Sequence, residues 1–207
     1  MKLYTTDGSP FGARVKIQIY KKNLPVEILA PPGGMGSAEL KSLSPSAKIP
    51  VLALEDSIII ESEIIQEYLE DKFPKLSLRG DTAETTAHIR MLSGITDIYL
   101  VPALQPFRSY LKGENENRAN LQEGVENLQY IFGMYEYFMT GNNFAVSEKL
   151  SLADCAMIPL FYYLRCFSKA VDVDLSLTDF PRLANWETNI KKDKAVDRVL
   201  QEIEATR

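Results

Sequence analysis

The chain has 207 residues, of which 45% are hydrophobic and 25% charged, the usage of an ordinary globular protein of one or two domains. Its formal net charge of −5 disfavours a nucleic-acid-binding protein, which normally concentrates basic residues on one surface. The sequence has neither an apolar run of about 18 residues nor an apolar N-terminal segment. We therefore expect no membrane partner and a cytoplasmic location.

Residue types that bind metals or form disulfides are scarce. Cys155 and Cys166 fall in one predicted helix, about 16 Å apart at a rise of about 1.5 Å per residue, too far for a disulfide. The single histidine, His88, excludes His-pair chemistry, and no zinc or dinucleotide motif occurs. We expect buried thiols and no metal.

The first 74 residues alternate short strands and helices. The predicted elements are a strand at Leu3–Thr5, a helix at Ala13–Lys22, a strand at Val26–Leu29, a short helix at Ser37–Ser42, two strands at Val51–Leu54 and Ile58–Ile60, and a helix that ends near Phe73. This β-α-β-α-β-β-α order predicts an α/β domain with a small mixed sheet.

After a linker at residues 75–82, the sequence predicts only helices, so residues 83–207 form an all-α domain. A long helix at Ala83–Lys112 is expected to bend at its prolines, and further helices follow at Asn117–Met139, Leu152–Ala170, Leu183–Lys192 and Lys194–Ala205. The helix at Leu152–Ala170 is apolar on most faces, which is typical of the central buried helix of such a domain.

Four short motifs occur along the chain. They are Ser9-Pro10-Phe11-Gly12-Ala13-Arg14-Val15, Ala47-Lys48-Ile49-Pro50-Val51-Leu52, Ile60-Glu61-Ser62-Glu63-Ile64-Ile65 and Leu150-Ser151-Leu152-Ala153-Asp154. Together and in this order, they resemble the cytosolic glutathione transferases, in particular serine-type bacterial and tau-like members. The resemblance covers essentially the whole chain and implies a thioredoxin-like N-terminal domain and an all-α C-terminal domain. The last motif, Ser-x-x-Asp, predicts a capping box with a folding role.

In this family the proline at the position of Pro50 is cis, and the backbone of the preceding residue pairs with the cysteinyl segment of glutathione. The resemblance thus implies that Ile49 and Pro50 bind glutathione as a strand edge binds a peptide. Lys48 is the matching candidate for the glycyl carboxylate. The alternative is a trans proline that merely opens an edge strand.

Glu61 and Ser62 lie where a predicted strand gives way to a helix. Ser62 is a good N-cap residue, and a helix N-terminus attracts a carboxylate such as that of the γ-glutamyl group. Glu61 would accept a hydrogen bond from the ammonium group of the same moiety. Capping alone requires Ser62 but not Glu61.

Ser9 is the predicted catalytic residue, with Phe11 beside it in the glutathione site. A hydroxyl that donates to the sulfur, at the start of a helix, favours the thiolate, which is the nucleophile. Ser9 would thus stabilise the thiolate without becoming a nucleophile. A Ser-Pro turn that only starts the helix is the alternative, and Thr6 and then Tyr4 are the competing hydroxyls. No cysteine lies near this motif, which disfavours disulfide reduction.

The second substrate is less defined by the sequence. Six aromatic residues are candidates to line an apolar pocket, of which we expect two or three to contact substrate: Phe11, Tyr99, Phe107, Tyr110, Phe161 and Tyr162. Phe11, Phe107, Tyr110 and Tyr162 are the preferred set. In some relatives an acidic residue near the position of Asp97 reaches the glutathione of the neighbouring subunit.

The sequence therefore predicts a homodimeric transferase that joins the glutathione thiolate to a small apolar electrophile in detoxification chemistry. Two alternatives remain. One is a glutathione-dependent isomerase, although the Ser-Ser-Cys run typical of that class is absent near Ser9. The other is a non-catalytic interaction protein with the same fold, such as a starvation-response regulator.

Overall fold

The structure is a computed structural model that describes residues 1–114 and 117–207. The chain forms two compact units. The first comprises Met1–Leu78 together with Lys194–Arg207, and the second comprises Arg79–Asp193. Among the described residues, no helix has the length and apolar character needed to cross a membrane.

The first unit is built on a four-stranded mixed sheet. Its elements are β1 (Lys2–Tyr4), α1 (Pro10–Lys22), β2 (Glu27–Leu29), α2 (Ala38–Leu43), β3 (Val51–Ala53), β4 (Ile58–Ile60) and α3 (Ser62–Lys72). The strand order is β2-β1-β3-β4, with β1 and β2 parallel and the other two pairs antiparallel. This confirms the predicted thioredoxin-like α/β domain and its order of elements.

Helices α1 and α3 supply the core that covers this sheet. Six side chains form the centre of the core: Leu3, Val15, Ile19, Leu52, Ile65 and Leu69. Each large aliphatic side chain buried in this way stabilises the unit by about 1.5–3 kcal/mol.

A buried polar cluster also joins α1 to α3. Glu70 accepts hydrogen bonds from Lys22 at 2.7 Å and from Gln18 at 2.8 Å. Gln66 donates to the carbonyl oxygen of Arg14 at 3.0 Å. These bonds offset part of the cost of burying Gln18, Lys22 and Glu70 between the two helices.

Helices alone form the second unit. They are α4 (Ala83–Ile95), a π-helix (Thr96–Leu100), α5 (Val101–Ala103), α6 (Gln105–Leu111), α7 (Arg118–Phe138), α8 (Leu152–Ala170), α9 (Pro181–Asn189) and a 3₁₀ turn (Ile190–Lys192). Helix α8 is buried along most of its length, as predicted, and Pro159 lies inside it. The long helix predicted at Ala83–Lys112 is divided into α4, the π-helix, α5 and α6. Pro102 and Pro106, which have no N–H to donate, lie in its second half, where a bend was predicted.

The last helix, α10 (Lys194–Glu204), groups with the first unit, whereas the sequence placed it in the helical domain at residues 83–207. Its buried face consists of Ala195, Val196, Val199 and Ile203. Helix α10 packs on α1, and the hydroxyl of Tyr20 donates to Glu202 across this contact at 3.0 Å. In the structure, α10 therefore belongs to the same compact unit as the N-terminal sheet.

Candidate active site

A cavity of about 150 Å³ lies in the first unit, where the loop before β3 meets the start of α3. The side chains around it are Phe11, Ser46, Lys48, Ile49, Pro50, Ile60, Glu61 and Ser62. The structure thus brings together six of the seven residues predicted to bind glutathione. The seventh, Ser9, does not line the cavity itself but lies two residues before Phe11.

Two lining residues were not predicted. Ser46 is exposed, and its hydroxyl lies 3.1 Å from that of Ser44 and 3.4 Å from the backbone nitrogen of Lys48, which donates to it. Ile60 ends β4 immediately before Glu61. The position of Ser46 in the Ser-Pro-Ser run before Lys48 is the sequence signal that could have identified it.

The Ile49–Pro50 peptide bond is cis, as the family resemblance implies. Pro50 is buried and leads directly into β3, which pairs with β1 through Val51 opposite Tyr4. Lys48, on the other side of Ile49, is exposed at the cavity. The backbone before β3 and one basic side chain therefore face the same space.

Glu61, which also lines the cavity, occupies the N-cap position of α3 with φ at 66°, and its side chain makes no capping hydrogen bond. The predicted N-cap, Ser62, is instead the first residue of the helix, so that prediction was wrong by one position. A left-handed backbone is uncommon for a residue other than glycine and costs about 1–3 kcal/mol. The first N–H groups of α3 therefore have no bond from the N-cap side chain, and Glu61 and Ser62 at this helix start line the cavity.

Ser9 is the N-cap of α1, with φ at −87° and ψ at 116°, and its Oγ accepts a hydrogen bond from the Gly12 N–H at 3.1 Å. Ser9 therefore does start the helix, as the alternative interpretation of this residue states. Because the cap uses Oγ only as an acceptor, the hydroxyl hydrogen is still available for donation to a ligand. Capping and a catalytic role are compatible at this residue.

Thr5, which the sequence analysis overlooked, lies against the same helix start. It is buried, and a Cβ atom added to Gly12 would meet Thr5 Oγ1 at 1.8 Å. Glycine is thus needed for the close approach of α1 to Thr5, the residue that follows β1. The competing hydroxyls Thr6 and Tyr4 are half-buried.

Two of the six aromatic candidates lie in the core of the helical unit. Phe107 and Phe161 are both 0% exposed, and Phe161 packs against Phe132, Tyr135 and Trp186, so these two residues belong to the core of the helical unit. Aromatic residues at helical spacing serve the core more often than a ligand, and Phe107 and Phe161 do so here.

The remaining aromatic candidates differ in exposure. Tyr110 and Tyr162 are half-buried, Tyr99 is 44% exposed, and Phe11 lines the cavity with Arg14 above its ring at 5.0 Å. Asp97 is half-buried within the π-helix. Phe11 is therefore the aromatic candidate placed at the cavity.

The Ser151–Asp154 capping box is confirmed, with the Ser151 N–H donating to Asp154 at 2.8 Å. The buried carboxylate also accepts from the Ala145 N–H and from Trp186 Nε1, each at 2.8 Å. Burial raises the pKa of Asp154 above its usual range, against the opposing effect of these hydrogen bonds. The motif is structural and lies outside the cavity.

In the described part of the chain, no group of three or more histidine, cysteine or acidic side chains is placed to hold a metal ion. Residues 3–77 match the family model for the N-terminal domain of glutathione S-transferases, and residues 93–194 match the model for the C-terminal domain. The two matches follow each other in the order of that family and span most of the chain.

The chain belongs to the glutathione S-transferase superfamily.

Similar proteins within this superfamily include glutathione S-transferase F13 of Arabidopsis thaliana, 28% identical over 90% of this chain and 88% of that protein. A stringent starvation protein A homologue of Coxiella burnetii is 27% identical over 79% of this chain and 76% of its own. Among solved structures, a tau class glutathione S-transferase of mango, Mangifera indica, is 26% identical with a TM-score of 0.83, over 99% of this chain and 96% of that one.

Proposed function

We propose that the protein binds glutathione in the cavity of the first unit and transfers its thiolate to small apolar electrophiles. The observation that carries this proposal is the convergence, in a chain of this superfamily, of Lys48, Ile49-Pro50 and the Glu61-Ser62 start of α3 around one cavity. These groups match the chemistry of a tripeptide with a carboxylate at each end and an ammonium group at one.

In the proposed complex, the γ-glutamyl carboxylate accepts hydrogen bonds from the uncapped start of α3, where the helix dipole favours negative charge. Glu61 accepts from the ammonium group of the same moiety. The backbone of Ile49 pairs with the cysteinyl segment, and Lys48 pairs with the glycyl carboxylate. The thiol then points toward the start of α1, where Phe11 lines the cavity.

Ser9 supplies the chemistry in this proposal. A free thiol has a pKa of about 8.5, so only a few per cent is thiolate near pH 7. The Ser9 hydroxyl, whose oxygen already accepts from Gly12, donates its hydrogen to the sulfur and stabilises the thiolate after the proton leaves to solvent. The thiolate forms a C–S bond with the electrophile, and the leaving group departs with its electron pair.

We further propose that the protein works as a homodimer in the cytoplasm. The glutathione-dependent isomerase and the non-catalytic interaction protein remain the alternatives. The second has support from similarity to stringent starvation protein A homologues. An intact set of Ser9, Ile49-Pro50 and Glu61-Ser62 favours the enzyme, because an interaction protein has no need of the complete constellation.

The test combines binding and turnover. Wild type and Ser9→Ala are titrated with glutathione by thermal shift and then assayed for conjugation of a chlorinated nitroaromatic compound. We expect both proteins to bind, with the rate lowered by about 100-fold in Ser9→Ala, in line with the loss of one group that stabilises charge during the reaction. Thr6→Ala serves as the matched control, with little change expected.

Each other result has a defined meaning. If wild type fails to bind millimolar glutathione, both enzyme hypotheses fail and the interaction protein is favoured. If Ser9→Ala keeps the wild-type rate while Thr6→Ala loses it, the catalytic hydroxyl is that of Thr6. Binding without conjugation, but with isomerisation of a maleyl substrate, favours the isomerase.

A further inference from the structure

The turn that carries Ser9 is held by an ionic contact to α1. The Ser9 N–H donates to the carbonyl oxygen of Thr6 at 3.1 Å, so Asp7 and Gly8 are the central residues of a tight turn. Lys16 Nζ, two helical turns into α1, lies 2.5 Å from the Asp7 carboxylate. Lys16 of α1 therefore forms an ion pair with the turn that immediately precedes this helix.

The same ammonium group reaches the C-terminal helix. Lys16 is 2% exposed and lies between two carboxylates, with Glu202 of α10 also at 2.5 Å. Burial lowers the pKa of Lys16, but its bonds to Asp7 and Glu202 outweigh this effect and raise the pKa above the ordinary value. Lys16 is thus a buried cation that two carboxylates stabilise.

Glu202 is fixed by further donors. The Tyr20 hydroxyl donates to it at 3.0 Å and Arg198 Nε donates at 3.1 Å, while the Arg198 guanidinium lies 3.7 Å from the centre of the Tyr20 ring. The groups that face Lys16 in this network are accordingly Asp7, Tyr20, Glu202 and, through Glu202, Arg198. One carboxylate of α10 thereby secures the position of Lys16.

We propose that Glu202, Lys16 and Asp7 form a brace through which the C-terminal helix positions Ser9 for the thiolate. This inference rests on the proposed function of Ser9. None of the three side chains lines the cavity, so they act as positioning residues and not as catalytic ones. A hydrogen bond from a hydroxyl depends on distance and angle, and small misplacements of a catalytic group lower rates.

The brace is tested with Glu202→Gln and Lys16→Met, beside the matched control Asp197→Asn. Asp197 is an exposed carboxylate on the same helix, and it accepts a hydrogen bond from Gln201 Nε2 of that helix at 2.8 Å. Three quantities are measured below the unfolding temperature: amide hydrogen exchange of residues 6–9 without ligand, the pKa of the bound glutathione thiol from ultraviolet absorbance of the thiolate, and kcat/KM.

We expect Glu202→Gln and Lys16→Met to speed exchange in the turn, raise the pKa of the bound thiol and lower kcat/KM at least about threefold, with the affinity for glutathione unchanged. Asp197→Asn should match wild type in all three. A role confined to stability would lower the unfolding temperature of the two variants without altering the pKa of the bound thiol.

Two results overturn the brace: unchanged exchange in the turn, or faster exchange with an unchanged pKa of the bound thiol. Its failure differs from failure of the proposed function. If only the brace fails, wild type still conjugates glutathione and the variants do as well. If the proposed function fails, wild type binds no glutathione. The positioning role then fails too, whatever the rate of amide hydrogen exchange in the turn.

Discussion

At the residue scale, Glu61 shows how a local backbone state shapes the candidate site. It is exposed, with φ at 66°, and it stands where an ordinary N-cap residue would bond to the helix with its own side chain. A serine or aspartate that capped α3 would occupy the N–H groups that the proposed carboxylate needs. The strained residue therefore keeps the helix start available.

The first prediction concerns Glu61→Gln. The substitution keeps the side-chain size and removes the charge proposed to accept from the ammonium group of glutathione. We expect the dissociation constant for glutathione to rise about tenfold, which corresponds to about 1.4 kcal/mol for one charge-assisted hydrogen bond. Calorimetric titration measures the change, and the unfolding temperature should stay constant because Glu61 is exposed.

Glu63→Gln is the control for this prediction, because it removes an equal charge from the first turn of the same helix. Equal loss of affinity in the two variants would show that the general field of the helix start, and not a bond to Glu61, attracts the ligand.

At the element scale, the start of α8 depends on one buried carboxylate. The spacing of Ser151 and Asp154 predicted the local capping box, but the bonds from Ala145 and Trp186 come from other parts of the chain. Asp154 thus ties α8 to the preceding loop and to α9 at once. The capping box, which the sequence identifies as a local motif, thus also makes tertiary contacts.

The second prediction is that Asp154→Asn destabilises the protein by about 3 kcal/mol, because an amide presents two donors where the carboxylate accepted, and buried donors then face each other. Urea unfolding at neutral pH measures the loss. Ser151→Ala, which removes only one hydroxyl, should cost about 1 kcal/mol. If both substitutions cost the same, the bonds to Ala145 and Trp186 contribute nothing beyond the cap.

At the scale of the whole molecule, the chain returns to its first unit after completing the second. Three aliphatic side chains of α10, Val196, Val199 and Ile203, are 0% exposed. The N-terminal unit is therefore not a contiguous stretch of sequence, and its stability depends on residues more than a hundred positions away from its sheet.

The third prediction follows from this arrangement. Truncation after Asp193 should destabilise the first unit by about 5 kcal/mol, from the loss of three buried aliphatic side chains. Hydrogen exchange should report faster opening of the core amides of Leu3, Val15 and Leu52, while α8 keeps its protection. Uniform loss of protection in both units would contradict the assignment of α10 to the first.

The cis state of Pro50 was implied by the family resemblance. The residue pattern by itself determined the fold class, the order of elements in the N-terminal domain and the capping box. Each depends on local information, because strand and helix periods, proline and cap spacing act within a few residues. The family motifs added the glutathione-site residues. Six of these meet at one cavity, and their roles stay predictions.

Only the tertiary structure decided which apolar side chains form the core and which face a cavity. Phe107 and Tyr110 differ in burial although they lie one helical turn apart, because packing partners come from distant segments. The brace from Glu202 to Asp7 joins residues that are 195 positions apart in the chain. Such a contact cannot be predicted from the local spacing of residues. Long-range packing sets these features, whereas local periodicity sets the elements.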